Sequence, residues 1–217
     1  MQQPASRFGW SILFGVFALV CLLTLAVVLV QLKKQITPID MPPIGPVAAF
    51  SLTNENNQAV SLADLQGRVW VADIIFTRCP GPCLRMSKQM RELQTALPAA
   101  SKAKLVSLTT DAEFDTPPVL QKYAERFEAD TNRWMFLTGD KRAVANLAID
   151  SLKLTAVAKK PGERTTPEDL FVHSTIFVIV DKKAQLRGVF QTGGEDVDWS
   201  QSKAKILAAV HQLEREP

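Results

Sequence analysis

The sequence predicts an α/β domain built on a mixed sheet, preceded by one N-terminal transmembrane helix. Three observations predict it. From about residue 50, apolar runs of strand length alternate with amphipathic runs of helix length, the order that lays helices on a largely parallel sheet. The last two strand-like runs are joined only by Lys182-Lys183-Ala184-Gln185, too short for anything but an antiparallel pair. Phe8 to Leu32 holds 25 residues without one charge, more than the roughly 20 a helix needs to cross a bilayer.

In chain order, residues 1–33 are expected to be the transmembrane anchor. A cleaved signal peptide would have a shorter apolar region ending in a small-residue cleavage site, and none is found. Cys21 follows the bulky Val20 inside the same apolar run, so it reads as a lipid-facing cysteine and not as a lipidation site. Arg7 on one flank and Lys33 with Lys34 on the other leave the charge rule for orientation undecided. Residues 34–47 carry Pro38, Pro42, Pro43 and Pro46 and are expected to be an extended spacer of at most roughly 3 Å per residue. The domain then occupies 48–217.

Phe50 to Leu62, with Asn54, Asn56 and Asn57, reads as a hairpin ended by Gly67. Val69 to Phe76 is apolar apart from Asp73 and suits a strand buried on both faces. A helix is expected from about Gly81 to Leu97, with prolines tolerated in its first turn. Lys104 to Thr109 is a second strand, and Thr116-Pro117-Pro118 opens a helix that Thr116 can cap and that runs to about Phe127. Trp134 to Leu137 is a short strand, Thr138-Gly139-Asp140 a turn and cap, and Lys141 to Leu152 a helix. Ala156 to Asp169, with Pro161, Gly162 and Pro167, is expected to be an irregular functional loop. Leu170 to Asp181 and Leu186 to Gln191 are the final strands, and Trp199 to Glu214 is an amphipathic helix.

The chemistry concentrates where the Val69–Phe76 strand runs into its helix through Cys79-Pro80-Gly81-Pro82-Cys83. If this C-x-x-x-C spacing is helical, both thiols share one face, about 5 to 6 Å apart. A helix N-terminus favours thiolate, the form that attacks disulfides and binds soft metals, so redox and metal chemistry are both open. Met86 and Met90 continue that face and read as core packing in preference to thioether ligands. Asp73 and Asp111 are candidates for orienting ligands or partners, or are plain structural carboxylates. His211, among the residues of the last helix, reads as an ordinary helix residue. With a net charge of +3, a pI near 8.8 and scattered Lys and Arg, the chain gives no sign of nucleic-acid binding.

Four stretches, FTRCPGPC, TTDAEFDTPPVLQKYAERF, WMFLTG and VHSTIFVIVD, together resemble the Sco (SenC) family of membrane-anchored, thioredoxin-like copper proteins over about residues 45 to 215. The resemblance implies a thioredoxin-like fold and copper held by Cys79, Cys83 and His173. It implies a metallochaperone that delivers copper to the dinuclear copper A centre in subunit II of cytochrome c oxidase, with copper donor proteins as further partners. It also places the soluble domain on the periplasmic side of the membrane. Two thiolates and one imidazole form a soft set that suits Cu(I), whereas structural zinc normally takes a fourth protein ligand. The chain departs from the family at Leu84, where proline is frequent, and at Ala112; neither removes a ligand. The alternative is a membrane-anchored thiol-disulfide oxidoreductase that uses Cys79 and Cys83 to reduce the copper-site cysteines of subunit II. C-x-x-C is the usual spacing of that class. A peroxidase is a third reading without a motif of its own. On the copper reading the chain is not expected to be a turnover enzyme.

Overall fold

The computed structural model describes the backbone of residues 7–35, 39–164 and 171–217, with the side chains of some helix and strand positions, among them His173, outside the description. The chain divides into two compact units, Met1–Ile39 and Asp40–Pro217. The first is helix α1, Arg7–Gln35, whose described side chains, Trp10 and 13–28, are all exposed. Among the described residues no helix is long and apolar enough to cross a membrane.

The second unit is an α/β sandwich. Its sheet contains β1 (Gly45–Pro46), β2 (Ser51–Asn54), β3 (Ala59–Ser61), β4 (Trp70–Ile75), β5 (Lys104–Thr109), β6 (Trp134–Thr138), β9 (Ile176–Val180) and β10 (Gln185–Gln191). Their order is β1-β10-β9-β4-β5-β6-β2-β3. β4, β5 and β6 run parallel, and every other neighbour is antiparallel. The helices are α2 (Leu62–Leu65), α3 (Pro82–Ala96), α4 (Pro117–Arg126), α5 (Lys141–Ala145) and α6 (Trp199–Arg215). A π-helical turn, Asn146–Ser151, continues α5. A separate two-stranded sheet pairs β7 (Ala156–Ala158) with β8 (Phe171–His173).

All six residues of β4 are buried, as befits the middle of a sheet covered on both faces. Strand alternation sends Trp70, Ala72 and Ile74 into one core with Val106, Leu108, Val178, Val180 and, from α5 and its π turn, Val144 and Leu147. Val71, Asp73 and Ile75 take the other face. There the Trp134 indole N–H donates to Ser107 Oγ at 3.0 Å, Tyr123 of α4 meets Phe136 edge-on, and Trp199 of α6 meets Phe177 edge-on.

Several expectations change. The second half of the 34–47 spacer belongs to the domain: Met41 and Val47 are buried, Gly45–Pro46 pairs with β10, and Arg187 Nε donates to the Met41 carbonyl at 2.6 Å. Apolar side chains beside the prolines found a surface to cover, which composition alone does not report. Thr116 holds the N-cap position of α4 but its side chain makes no capping bond. The reason is local: Pro118 has no N–H, and the Val119 N–H already goes to the Thr116 carbonyl at 2.9 Å. Asp140 does cap α5, accepting from the Ala143 N–H at 2.9 Å. The expected irregular stretch 156–169 contains β7 and a 3-10 turn, Pro161–Glu163; its residues 165–169 lie outside the described residues. The expected strand Leu170 to Asp181 is two strands, broken at Ser174 and Thr175, because β8 pairs with β7 while β9 pairs with β4 and β10.

Candidate functional site

The site forms where β4 leaves the sheet. The Cys79 N–H donates to the Phe76 carbonyl at 3.1 Å, closing a turn through Thr77 and Arg78. Gly81 is the N-cap of α3 with φ −142° and ψ −86°, and Pro82 is its first residue. Cys79 therefore lies in the loop and Cys83 in the first helical turn, so the two do not share a helix face. Two X-Pro steps explain this: Cys79 precedes Pro80 and Gly81 precedes Pro82, and a residue before proline is pushed out of the helical region.

The thiols are brought together by another route. The Cys83 N–H, a donor of the open first turn, points at Cys79 Sγ at 3.5 Å. The Phe76 N–H points at Cys83 Sγ, also at 3.5 Å. Both residues are thiols and not a disulfide, and both are buried, with exposures of 5% for Cys79 and 0% for Cys83. The expected preference for thiolate does not hold at Cys83. Burial pushes its pKa far up, the neighbouring Cys79 adds to the rise, and the Phe76 amide only partly opposes it. A partial charge of about +0.5 at a helix end does not offset the loss of water around a fully covered sulfur.

Two carboxylates fix the loop before Cys79. Asp115, fully buried, accepts from the Thr77 N–H at 3.0 Å and from the hydroxyls of Thr77 and Thr109. Burial raises its pKa although all three bonds act the other way. Asp111 accepts from Arg78 Nε at 3.1 Å and Nη2 at 2.5 Å, and the same guanidinium lies 4.0 Å from the centre of the exposed Phe114 ring. Asp111 thus orients the cysteine loop through Arg78. Asp73 is fully buried in β4 and its charge is felt by the Cys83 thiol. Met86 and Met90 are fully buried core residues. One turn past Cys83, Ser87 Oγ and Tyr123 Oη lie 2.9 Å apart.

His173 ends β8, opposite Ala156, separated from β9 by Ser174 and Thr175 and not within it; its imidazole lies outside the described residues. The backbone around it is held on two sides. Phe171 packs edge-on against Phe76, with centroids 5.1 Å apart, so β8 meets the exit of β4. The Thr192 N–H and hydroxyl both donate to the Thr175 carbonyl at 2.9 Å, and Gln89 Nε2 of α3 donates to the Thr192 carbonyl at 2.8 Å. A Cβ at Gly193 would displace the Arg85 guanidinium of α3, which lies against this glycine. His211 is exposed on α6, as an ordinary helix residue would be. Among the described residues no three His, Cys, Asp or Glu side chains converge on a metal-sized site.

Thr77, Arg78, Asp115, Gln89, Thr175 and Thr192 were not singled out from the sequence. Of these only Asp115 lay in a visible signal, the cluster of threonines and carboxylates TTDAEFDT that follows an apolar strand; the others carried none.

The donor set suits a soft monovalent ion: two buried sulfurs, each approached by a backbone amide at 3.5 Å, in a water-poor setting. It equally suits closure to a disulfide. The family described as SCO1/SenC matches residues 43–209. The SCO1 protein homolog of Bacillus subtilis (strain 168) is 33% identical over 157 residues, 70% of this chain and 78% of that one. A Stutzerimonas stutzeri protein named for copper binding is 28% identical over 176 residues, 80% of this chain and 83% of that one. The solved structure of BsSco, a Sco-family cytochrome c oxidase assembly protein with a disulfide switch, has a TM-score of 0.63 and 29% identity, over 79% of this chain and 99% of that one. The matched span contains Cys79, Cys83 and His173 and nearly the whole sheet, and the chain belongs to the SCO1/SenC family.

Proposed function

We propose that this protein carries Cu(I) as cargo, held by Cys79, Cys83 and His173, and loads it into the dinuclear copper A centre of cytochrome c oxidase subunit II. The observation that carries the reading is the convergence of two buried thiols at the exit of a central strand in a chain of the SCO1/SenC family. The relative named for copper binding supports the choice of ion. The buried Cys83 thiol gives up its proton when the metal arrives, since thiolate is the ligand, and burial keeps water and competing ligands from the sulfurs. Phe171 and the Thr175–Thr192–Gln89 bracket support the placement of His173 beside α3.

On this reading residues 1–33 anchor the protein, the few residues up to Ile39 join anchor to domain, and Asp40–Pro217 acts outside the cytoplasm, where copper donor proteins supply the ion. The sequence supports the anchor: Phe8 to Leu32 runs 25 residues without a charge, more than the roughly 20 needed to cross a bilayer. A helix apolar all round belongs in lipid or in a core.

A second reading, reduction of the subunit II cysteines by the same pair, is favoured by the adjacency of the thiols and by the disulfide switch of BsSco. Replacing His173 with Ala separates the two. Delivery predicts that Cu(I) affinity and oxidase loading fall together while disulfide reduction persists, because exchange needs only the thiols. Loading unchanged after affinity has collapsed would overturn the carrier reading in favour of the reductant.

A further inference from the structure

Thr77 and Arg78, the two residues before Cys79, are each gripped by a carboxylate of one five-residue segment, Asp111 to Asp115. The two grips differ. Arg78 is partly exposed and its partner lies near the surface, whereas Asp115 is fully buried and holds both the amide and the hydroxyl of Thr77 while taking a third bond from Thr109 at the end of β5. The Asp115 N–H is itself tied to the Asp111 carbonyl at 2.8 Å, and the Asp111 N–H to Thr109 Oγ1 at 3.0 Å. Cys79 is thus suspended between a fixed point two residues upstream and the Cys83 amide downstream.

We propose that Asp115 is the positioning residue of the dithiol: by fixing Thr77 to the end of β5 it sets how closely Cys79 approaches Cys83, and so the readiness of the pair to act together. This rests on the reading of Cys79 and Cys83 as the working thiols. Asp115 touches neither sulfur; it acts through Thr77. The physical consequence is an effective concentration. Two groups held close behave as if one were present at high concentration about the other, and loosening the tether lowers it. When the pair is oxidised by glutathione disulfide, two thiols become one disulfide, two molecules of reduced glutathione are released, and the equilibrium constant reports that effective concentration directly.

The test uses the full chain in detergent micelles, with Asp115→Asn, Thr77→Val and Thr77→Ser beside wild type. The glutathione equilibrium constant, the Cu(I) affinity by chelator competition and the Tm are read on each. The expected result is a fall in the equilibrium constant of roughly three- to tenfold for Asp115→Asn and Thr77→Val, with Cu(I) affinity weakened by about tenfold or more, the range seen for groups that orient metal ligands. Thr77→Ser, which restores the hydroxyl, should stay within about twofold of wild type on the same scale. Folded Asp115→Asn and Thr77→Val proteins with wild-type equilibrium constants would overturn the assignment, as would failure of Thr77→Ser to restore them. Should Asp115→Asn not fold, Thr77→Val against Thr77→Ser decides. A wild-type chain that binds no Cu(I) would sink the copper reading, and the glutathione equilibrium would still decide the role of Asp115.

Discussion

The two halves of the site are built differently. The Cys79 half is a short loop fixed by two carboxylates, Asp115 on Thr77 and Asp111 on Arg78, and by the Cys83 amide of α3 on the Cys79 sulfur. The half proposed to carry His173 is a small hairpin outside the main sheet, extended by the Ser174 N–H to the Thr155 carbonyl at 2.8 Å and joined to the sheet by an aromatic contact and by the Thr175–Thr192 bonds. Charge-assisted bonds to a buried carboxylate are stronger and more directional than a ring contact. The thiols are thus preset, and on the proposed reading the third donor would come from a separately supported element, an arrangement that would let an ion be held by three groups and released when one departs.

That contrast can be broken most severely at the thiols. Cys83→Ser should weaken Cu(I) binding by roughly 100-fold or more, beyond the 10- to 100-fold typical of orienting groups, as read by chelator competition. Met90→Ala, deep under α3, should lower stability by about 2 to 5 kcal/mol in denaturant unfolding, the cost of emptying a packed core position. Phe171→Ala removes the ring contact of the hairpin and should cost about 1 kcal/mol; hydrogen exchange should rise in β7 and β8 and stay unchanged in the Thr77–Cys83 loop. Exchange rising equally in both would show the two halves to be one unit. Arg78→Ala should cost under about 1 kcal/mol, because the guanidinium is partly solvated.

The smallest effect concerns pH. Burial raises the Glu55 pKa above its ordinary 4.5, against the bond from the Phe136 N–H. A raised folded pKa means that the stabilisation of protonated Glu55 is present below the unfolded value and lost as pH rises through the folded one. Glu55→Gln should therefore flatten that fall in Tm, and a variant with the wild-type slope would show another group to be responsible.

How much of this was legible in the sequence differs from element to element. The β4–α3 unit was read correctly because its six strand residues are covered on both faces and its helix carries a repeating apolar stripe. That Cys79 and Cys83 come close together was legible from their spacing. Their arrangement was misread: helical periodicity was extended back across two prolines that interrupt it. The break between β8 and β9 was hidden for a related reason, since Phe171 to Val180 is apolar enough to pass for one strand and only the competing partners, β7 on one side and β4 with β10 on the other, divide it. Asp115 could not be ranked above the other carboxylates, because burial and partners are not properties of a residue type.

By itself the sequence determined the periodicities, the family and the residues able to donate to a soft metal, since these follow from local chemistry and from spacing along the chain. The tertiary structure alone decided that Met41 and Val47 join the domain, that burial holds the Cys83 thiol protonated against the helix dipole, and that Thr77 is held by a carboxylate 38 residues away. The physical reason is the same in each case. Desolvation and hydrogen bonding depend on which groups a fold brings within a few ångströms, and contacts between distant residues are set by the packing of the whole sheet.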